Sequence, residues 1–193
     1  WRTKVPTSTA IRLLVQNVLI AREPSYGVGE WASSYAPDLF GLSERQLSAL
    51  NDDRLGRALG GLFVELGPEL TLEVVRRAVN EFRLRLDELH NDSTSISFCG
   101  NYSAAATEGV RRGRATAAIT WGHSKDHRPD LKQLLYILTV TEDGGVPVYF
   151  TTASGNVNDD LTHTQTWDLM RQLVGPPDFL YVADCKLAST HNL

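Results

Sequence analysis

Cysteine, long apolar runs and excess positive charge are all scarce or missing in this chain. Among 193 residues there are two cysteines, Cys99 and Cys185, each alone in its segment. That excludes a disulfide scaffold. A structural zinc site is disfavoured as well, because neither a CxxC pair nor a cysteine–histidine cluster occurs. Both thiols are expected to be reduced and buried. No apolar run approaches the eighteen or so residues that a membrane span requires, and no secretory leader pattern is seen. Nineteen Lys and Arg against 23 Asp and Glu give a net charge of −4. The total therefore lends no support to nucleic-acid binding through bulk charge.

Enough is present to build a core, since the 42% hydrophobic content is that of an ordinary globular protein. The charge is unevenly placed. Arg111, Arg112, Arg114, Lys125, Arg128 and Lys132 crowd the stretch from Glu108 to Lys132, which holds only three acidic residues. The chain opens on Trp1 and ends at HNL, and reads as a piece of a longer protein.

Pattern changes near residue 90. Before it, apolar residues recur at spacings of three and four. Ala10 to Arg22 predicts one helix, GEWASSYA and SERQLSALN predict short ones, and another is expected from Asn51 or Asp52. Thr71 is expected to cap the clearest helix, whose stripe is Leu72, Val75, Val79, Phe82 and Leu86. After residue 90 the period shortens toward two. DSTSISF, RATAAITWG, QLLYILTVT and VPVYFTTAS predict strands, the last two joined as a hairpin by EDGG. LTHTQTWDLMRQLV predicts a helix stopped by Gly175, Pro176 and Pro177, and FLYVADC a short buried strand. The expected architecture is α+β, with a helical region over 1–88 and a mixed sheet over 89–193.

Two carboxylates stand out by position. Asp92 lies at or in the first strand, and Asp184 ends the strand FLYVAD. A carboxylate at the end of a buried strand is costly to desolvate without a positive partner. Ligands of open α/β sheets gather at such ends. Were the two strands neighbours, the carboxylates would repel each other, and a hard divalent cation would remove the conflict. Taken singly, Asp92 is better explained as a turn residue and Asp184 as a helix cap. Asn156, Asn158, Asp159 and Asp160 fit turn formation and capping. Trp121 and Trp167 are expected to be buried, and His163 and His191 have no evident partner.

Several segments resemble insertion-sequence transposases of the DDE type, in the group whose RNase H-like catalytic domain carries a β-rich insertion. They are LHNDSTSISFCGNY (Leu89 to Tyr102), WGHSKDHRPDLKQLLYILTV (Trp121 to Val140), TASGNVND (Thr152 to Asp159) and YVADCKLAS (Tyr181 to Ser189). LNDDRLGRALGGL (Leu50 to Leu62) resembles the same group's amino-terminal region. The resemblance covers nearly the whole chain, and GHSKDHRPDLKQ is its most specific part. It implies a truncated RNase H-like domain with three antiparallel strands and a fourth parallel to the first. Asp92 and Asp184 correspond to the first two catalytic acids, and the third, a glutamate, is expected beyond residue 193.

The implied chemistry is cleavage and strand transfer of double-stranded DNA, at transposon ends and target. It would use two Mg²⁺ or Mn²⁺ ions held by the carboxylates. His123, Lys125, Arg128 and Lys132 would hold phosphates of the strand being cut, with Arg111, Arg112 and Arg114 as a second basic patch. Without the resemblance, a solvated loop with Asp126 and Asp130 pairing Lys125 and Arg128 is the better reading of 121–132. For the three arginines, a solvated face is an equal alternative. A homodimer in the active complex and a location at the nucleoid in a prokaryotic cytoplasm are further expectations. The competing function is a catalytically inactive truncated copy that binds DNA or regulates. Another RNase H-like nuclease is a weaker reading, and a glycosidase the weakest.

Overall fold

The structure, a computed structural model, describes residues 5–65, 68–124, 127–158, 162–175, 179–184 and 187. The chain divides into two compact units, Trp1–Gly67 and Pro68–Leu193. The change of pattern expected at residues 88/89 marks the start of the first strand. The units divide earlier, because the helix before that strand packs into the sheet's core.

The first unit is helical: α1 (Thr7–Ile20), α2 (Val28–Ser33), α3 (Glu44–Leu47) and α4 (Asp52–Glu65). Its core gathers Leu13, Val28, Phe40, Leu47, Leu50 and Leu55. Local chemistry sets the boundaries. Ser43 and Gln46 form a reciprocal capping box on α3, and the Asn51 side chain accepts from the Arg54 N–H at the start of α4.

The second unit holds α5 (Pro68–Phe82), β1 (Glu88–Phe98), β2 (Gly109–Arg111), β3 (Arg114–Thr116), β4 (Lys132–Thr141), β5 (Pro147–Ser154), α6 (Thr162–Val174) and β6 (Leu180–Val182). Helices and a mixed sheet make it α+β. Helix α5 begins at Pro68, so Thr71 lies inside its first turn and is not its cap. A proline fits a first helical position because the N–H it lacks would be unpaired there anyway. Phe82, expected on the buried stripe, is 71% exposed at the helix's last residue. Arg83 follows with a left-handed backbone that ends the helix.

The main sheet runs β5-β4-β1-β6. β1 pairs antiparallel with β4, β4 antiparallel with β5, and β6 parallel with β1. The mixed sheet and the parallel place of β6 beside β1 are as expected, but the three antiparallel strands are β1, β4 and β5 rather than the first three predicted runs. The β4–β5 turn contains Gly144 and Gly145, both with positive φ, so its EDGG sequence supplies the backbone freedom a tight reversal needs. RATAAITWG does not form a strand of this sheet. Only Arg114–Thr116 is strand, paired with β2 in a separate two-stranded ribbon.

One face of the sheet is core. Leu89, Val148 and Tyr181 join Val75 of α5 and Met170 of α6 in one cluster. Along β1 the buried positions are Leu89, Asn91, Ser93 and Ser95, opposite Thr141, Thr139, Ile137 and Leu135 of β4. The serine side of DSTSISF is thus the inner one, and Ile96 is 42% exposed. Small side chains are tolerated inside because Asn91 is satisfied, donating to Thr139 Oγ1 at 2.9 Å. Cys99 is exposed, contrary to expectation, because it lies just past the end of β1; Cys185 lies outside the described residues.

Candidate functional site

The parallel pairing of β1 with β6 determines where the two carboxylates meet. Glu88 pairs with Leu180, Leu89 with Tyr181 and His90 with Val182. Asp92 and Asp184 each stand two residues beyond the last pair, His90 and Val182, at the same end of the two strands. Side chains alternate between faces, and both belong with His90 and Val182 on the face opposite the core. They line one open pocket of about 340 Å³ with His90, Asn91, Leu138, Val140, Val182 and Ala183. Asp92 lies within β1, and its Oδ1 accepts from the Ser93 N–H at 2.7 Å. Asp184 follows β6, and its backbone carbonyl accepts from the Leu187 N–H at 3.0 Å.

His90 was not singled out from the sequence. Its Nε2 lies 2.9 Å from Glu88 Oε1, and it shares the pocket with both aspartates. The spacing i, i+2 in ELHND is the signal that puts Glu88, His90 and Asp92 on one face of a strand. Among the described residues, no group of three or more His, Cys, Asp or Glu is placed to hold a metal ion. The carboxylates that line the pocket are two, Asp92 and Asp184, a set that suits Mg²⁺ or Mn²⁺ in chemistry but not in number.

The basic segment does not join this pocket. Phe98 pairs with Lys132, which puts Lys132 about 20 Å along the sheet from Asp92 at the usual rise per residue. Its cations are also engaged within the protein. Arg128 donates to both carboxylate oxygens of Asp130, at 2.8 and 2.7 Å. That bidentate bond holds the Asp130 carboxyl below the ordinary carboxylate range and Arg128 above its own. Lys132 donates to the Asn101 carbonyl, and its ammonium lies 4.8 Å from the ring centre of Trp121. Trp121 is 58% exposed, not buried as expected. It serves as a cation platform. The His123 carbonyl accepts from Gln133 Nε2 at 3.2 Å. Lys125 and Asp126 lie outside the described residues. The internal pairing of Arg128 with Asp130 is thus the feature of the solvated-loop reading that the structure shows.

Arg111, Arg112 and Arg114 occupy the β2–β3 ribbon. Arg111 pairs directly with Arg114 across it. Arg112 and Gly113 form the tip, both with positive φ. Arg111 Nη2 donates to the Ala104 carbonyl at 2.9 Å. Both legs of the ribbon are tied to one hydroxyl. Ser154 Oγ donates to the Glu108 carboxylate and accepts from the Ala118 N–H at 3.0 Å. Gly155 then donates its N–H to the Ala118 carbonyl at 3.1 Å.

The remaining candidates are structural. His163 is buried with Nδ1 3.2 Å from the Tyr181 hydroxyl, and burial raises that phenol well above its ordinary value. Trp167 packs on Phe179, centroids 4.7 Å apart. Asn156 and Asn158 lie in the turn after β5, where the Val157 N–H bonds back to the Ser154 carbonyl. Asp159, Asp160 and His191 lie outside the described residues. No helix among the described residues is long and apolar enough to cross a membrane.

No protein-family model and no curated protein matches the chain. Among solved structures it is similar to a Mos1 transposase paired-end complex with left transposon end, at 9% identity and a TM-score of 0.32, covering 97% of this chain and 55% of that one. It is similar also to the Mos1 Strand Transfer Complex, at 11% identity and a TM-score of 0.30, covering 96% of this chain and 54% of that one. The chain thus spans about half the length of these solved chains. At such TM-scores the superposition decides nothing, and the topology rests on strand order and register alone.

Proposed function

We propose that this chain is part of a DDE-type DNA transposase and that Asp92 and Asp184 are two of its metal-holding carboxylates. The observation that carries the proposal is that Asp92 and Asp184, each two residues past the β1–β6 pairing, line one pocket. The sequence segments that resemble insertion-sequence transposases supply the reaction class. Asp92 would hold both ions of the complete site and Asp184 one. When bound, such ions lower the pKa of an attacking hydroxyl and neutralise charge developing at the phosphorus. The chain's own part is to hold two anionic oxygen groups in one pocket, one within β1 and one just past the end of the neighbouring β6. Leu138, Val140 and Val182 flank them with apolar surface, which strengthens electrostatic attraction in the pocket. Among the described residues the third acid is missing, so this chain is expected to bind cations weakly and to cut DNA poorly by itself.

The test is Mn²⁺ titration followed by paramagnetic relaxation of solvent water, on the wild type, Asp92→Asn and Asp184→Asn. Binding in the high-micromolar to millimolar range, weakened about tenfold or more by either substitution, is the expected result. A wild type indistinguishable from both variants would overturn the metal-site reading.

A further inference from the structure

The β2–β3 ribbon is a basic element whose Arg111 and Arg112 lie on exposed backbone. From Gly109 to Thr116 it contains three arginines and no acidic residue. Packing does not explain it, since every β2 residue is exposed and Val110 is 73% exposed. Arg112 makes no hydrogen bond or ion pair among the described residues. Arg111 donates to the Ala104 carbonyl, a neutral acceptor that orients the guanidinium without cancelling its charge.

Two features point to an anion. Arg111 lies directly across from Arg114, which brings two arginines together beside the tip. Arg112 stands at the tip with φ of 52°, where Asn, Asp or Gly adopts the backbone far more readily. A turn selected for stability alone would not carry arginine there. The ribbon is nonetheless held firmly at its base by the Ser154 hydroxyl, which ties Glu108 and Ala118 together.

We infer that this ribbon grips the phosphate backbone of duplex DNA, with Arg111 and Arg112 as principal contacts and Arg114 adding charge. The inference rests on the DNA-directed function proposed above and assigns the grip to the ribbon, not to the 121–132 loop. Guanidinium forks match phosphate oxygens in pairs. A two-stranded ribbon is narrow enough to enter a major groove about 12 Å wide. An anionic membrane is the weaker fit, because the ribbon offers a single large apolar side chain, Val110, to insert. Binding of this kind needs no metal and reads no sequence.

The experiment uses the whole 193-residue chain and a fluorescent 20-base-pair duplex of arbitrary sequence, in EDTA, over a salt series. Wild type is expected to bind with a strong salt dependence. Arg112→Gly is expected to lower the slope of log K against log salt by about one, and Arg111→Ala/Arg112→Ala/Arg114→Ala by between two and three. Arg112→Gly should also leave the thermal midpoint unchanged or raised, because glycine relaxes the tip. Lost affinity with retained stability separates a contact from a folding defect. Lys132→Ala should bind as wild type does. Unaltered affinity and slope in the triple variant, absence of wild-type binding, or preference for phosphatidylserine vesicles over the duplex would each overturn the inference. Failure of the carboxylate reading shows itself separately, as a missing Mn²⁺ response with duplex binding intact.

Discussion

On one face of the sheet, Asn91, Ser93 and Ser95 are buried beside Leu135 and Ile137; on the other, Ile96 and Phe150 are 42% and 41% exposed. The small polar residues of β1 are inside, and Ile96 and Phe98 share the outer row with Glu88, His90 and Asp92. Residue type therefore does not assign the faces here. On the inner side Asn91 bonds to Thr139 and Gln133 Nε2 donates to the Gly155 carbonyl at 2.8 Å, while Ser97 Oγ and Gln133 Oε1 are buried without a hydrogen-bond partner among the described residues. The outer side carries the Asp92–Asp184 pocket. A pair of carboxylates needs access to water and to a ligand, and the face that keeps apolar residues half-open provides it.

The sharpest way to break this comparison is to truncate one apolar side chain on each face. Ile137 is fully buried and Phe150 sits two strands from Asp92 on the outer face, stacked on Tyr136 with centroids 6.0 Å apart. Ile137→Ala should cost about 2–5 kcal/mol of unfolding free energy in urea, for lost burial and the cavity left. Phe150→Ala should cost about 1 kcal/mol, mostly the aromatic pair. Equal losses would mean that the outer face is covered in solution, and a concentration dependence of the Phe150 effect would identify self-association as the cover.

A smaller effect tests how the inner face closes at its carboxyl end. A Cβ on Gly155 would stand 2.2 Å from the Gln133 carbonyl oxygen and 2.6 Å from that of Thr120. Both obstacles are backbone, and they belong to an antiparallel bridge whose two hydrogen bonds measure 3.2 and 2.8 Å. Gly155→Ala must spread that bridge and should lower stability by about 1–3 kcal/mol. Because the Gly155 N–H also meets Ala118, amide exchange in 118–120 should rise more than in β1. Uniform protection across both would show that the ribbon's base does not depend on this contact.

Much of this was legible beforehand, though unevenly. QLLYILTVT, EDGG and VPVYFTTAS specified the β4–β5 hairpin, since glycines at the turn and β-prone runs on either side agree. The parallel β6 and the meeting of Asp92 with Asp184 were available only through the transposase resemblance, because pairing between residues ninety positions apart leaves no local trace. Which face of DSTSISF is inner was not legible, since alternation gives period but not side. Nor was the internal use of Arg128 and Lys132: charge in a sequence does not reveal whether Asp130 or the Asn101 carbonyl will meet it. RATAAITWG misled because its β-prone residues serve a ribbon and a bridging loop.

The inner face makes one further claim, on pH. Tyr181 is buried against His163 and Trp167, and burial raises its phenol above the ordinary value of 10.0. A raised folded pKa contributes stability that is fully present below the unfolded pKa near 10 and lost as pH climbs from there through the folded value. The slope is at most about 1.4 kcal/mol per pH unit. Tyr181→Phe lacks this group, so its titration cannot contribute. At neutral pH the variant should be less stable by about 1 kcal/mol, for the hydrogen bond lost. Above pH 10 the two stabilities should converge and then cross. The measurement is urea unfolding of both proteins at pH 7, 9, 10 and 11. Parallel curves across that range would mean that Tyr181 reaches water, and that the inner face is as open at β6 as the outer face is at Asp92.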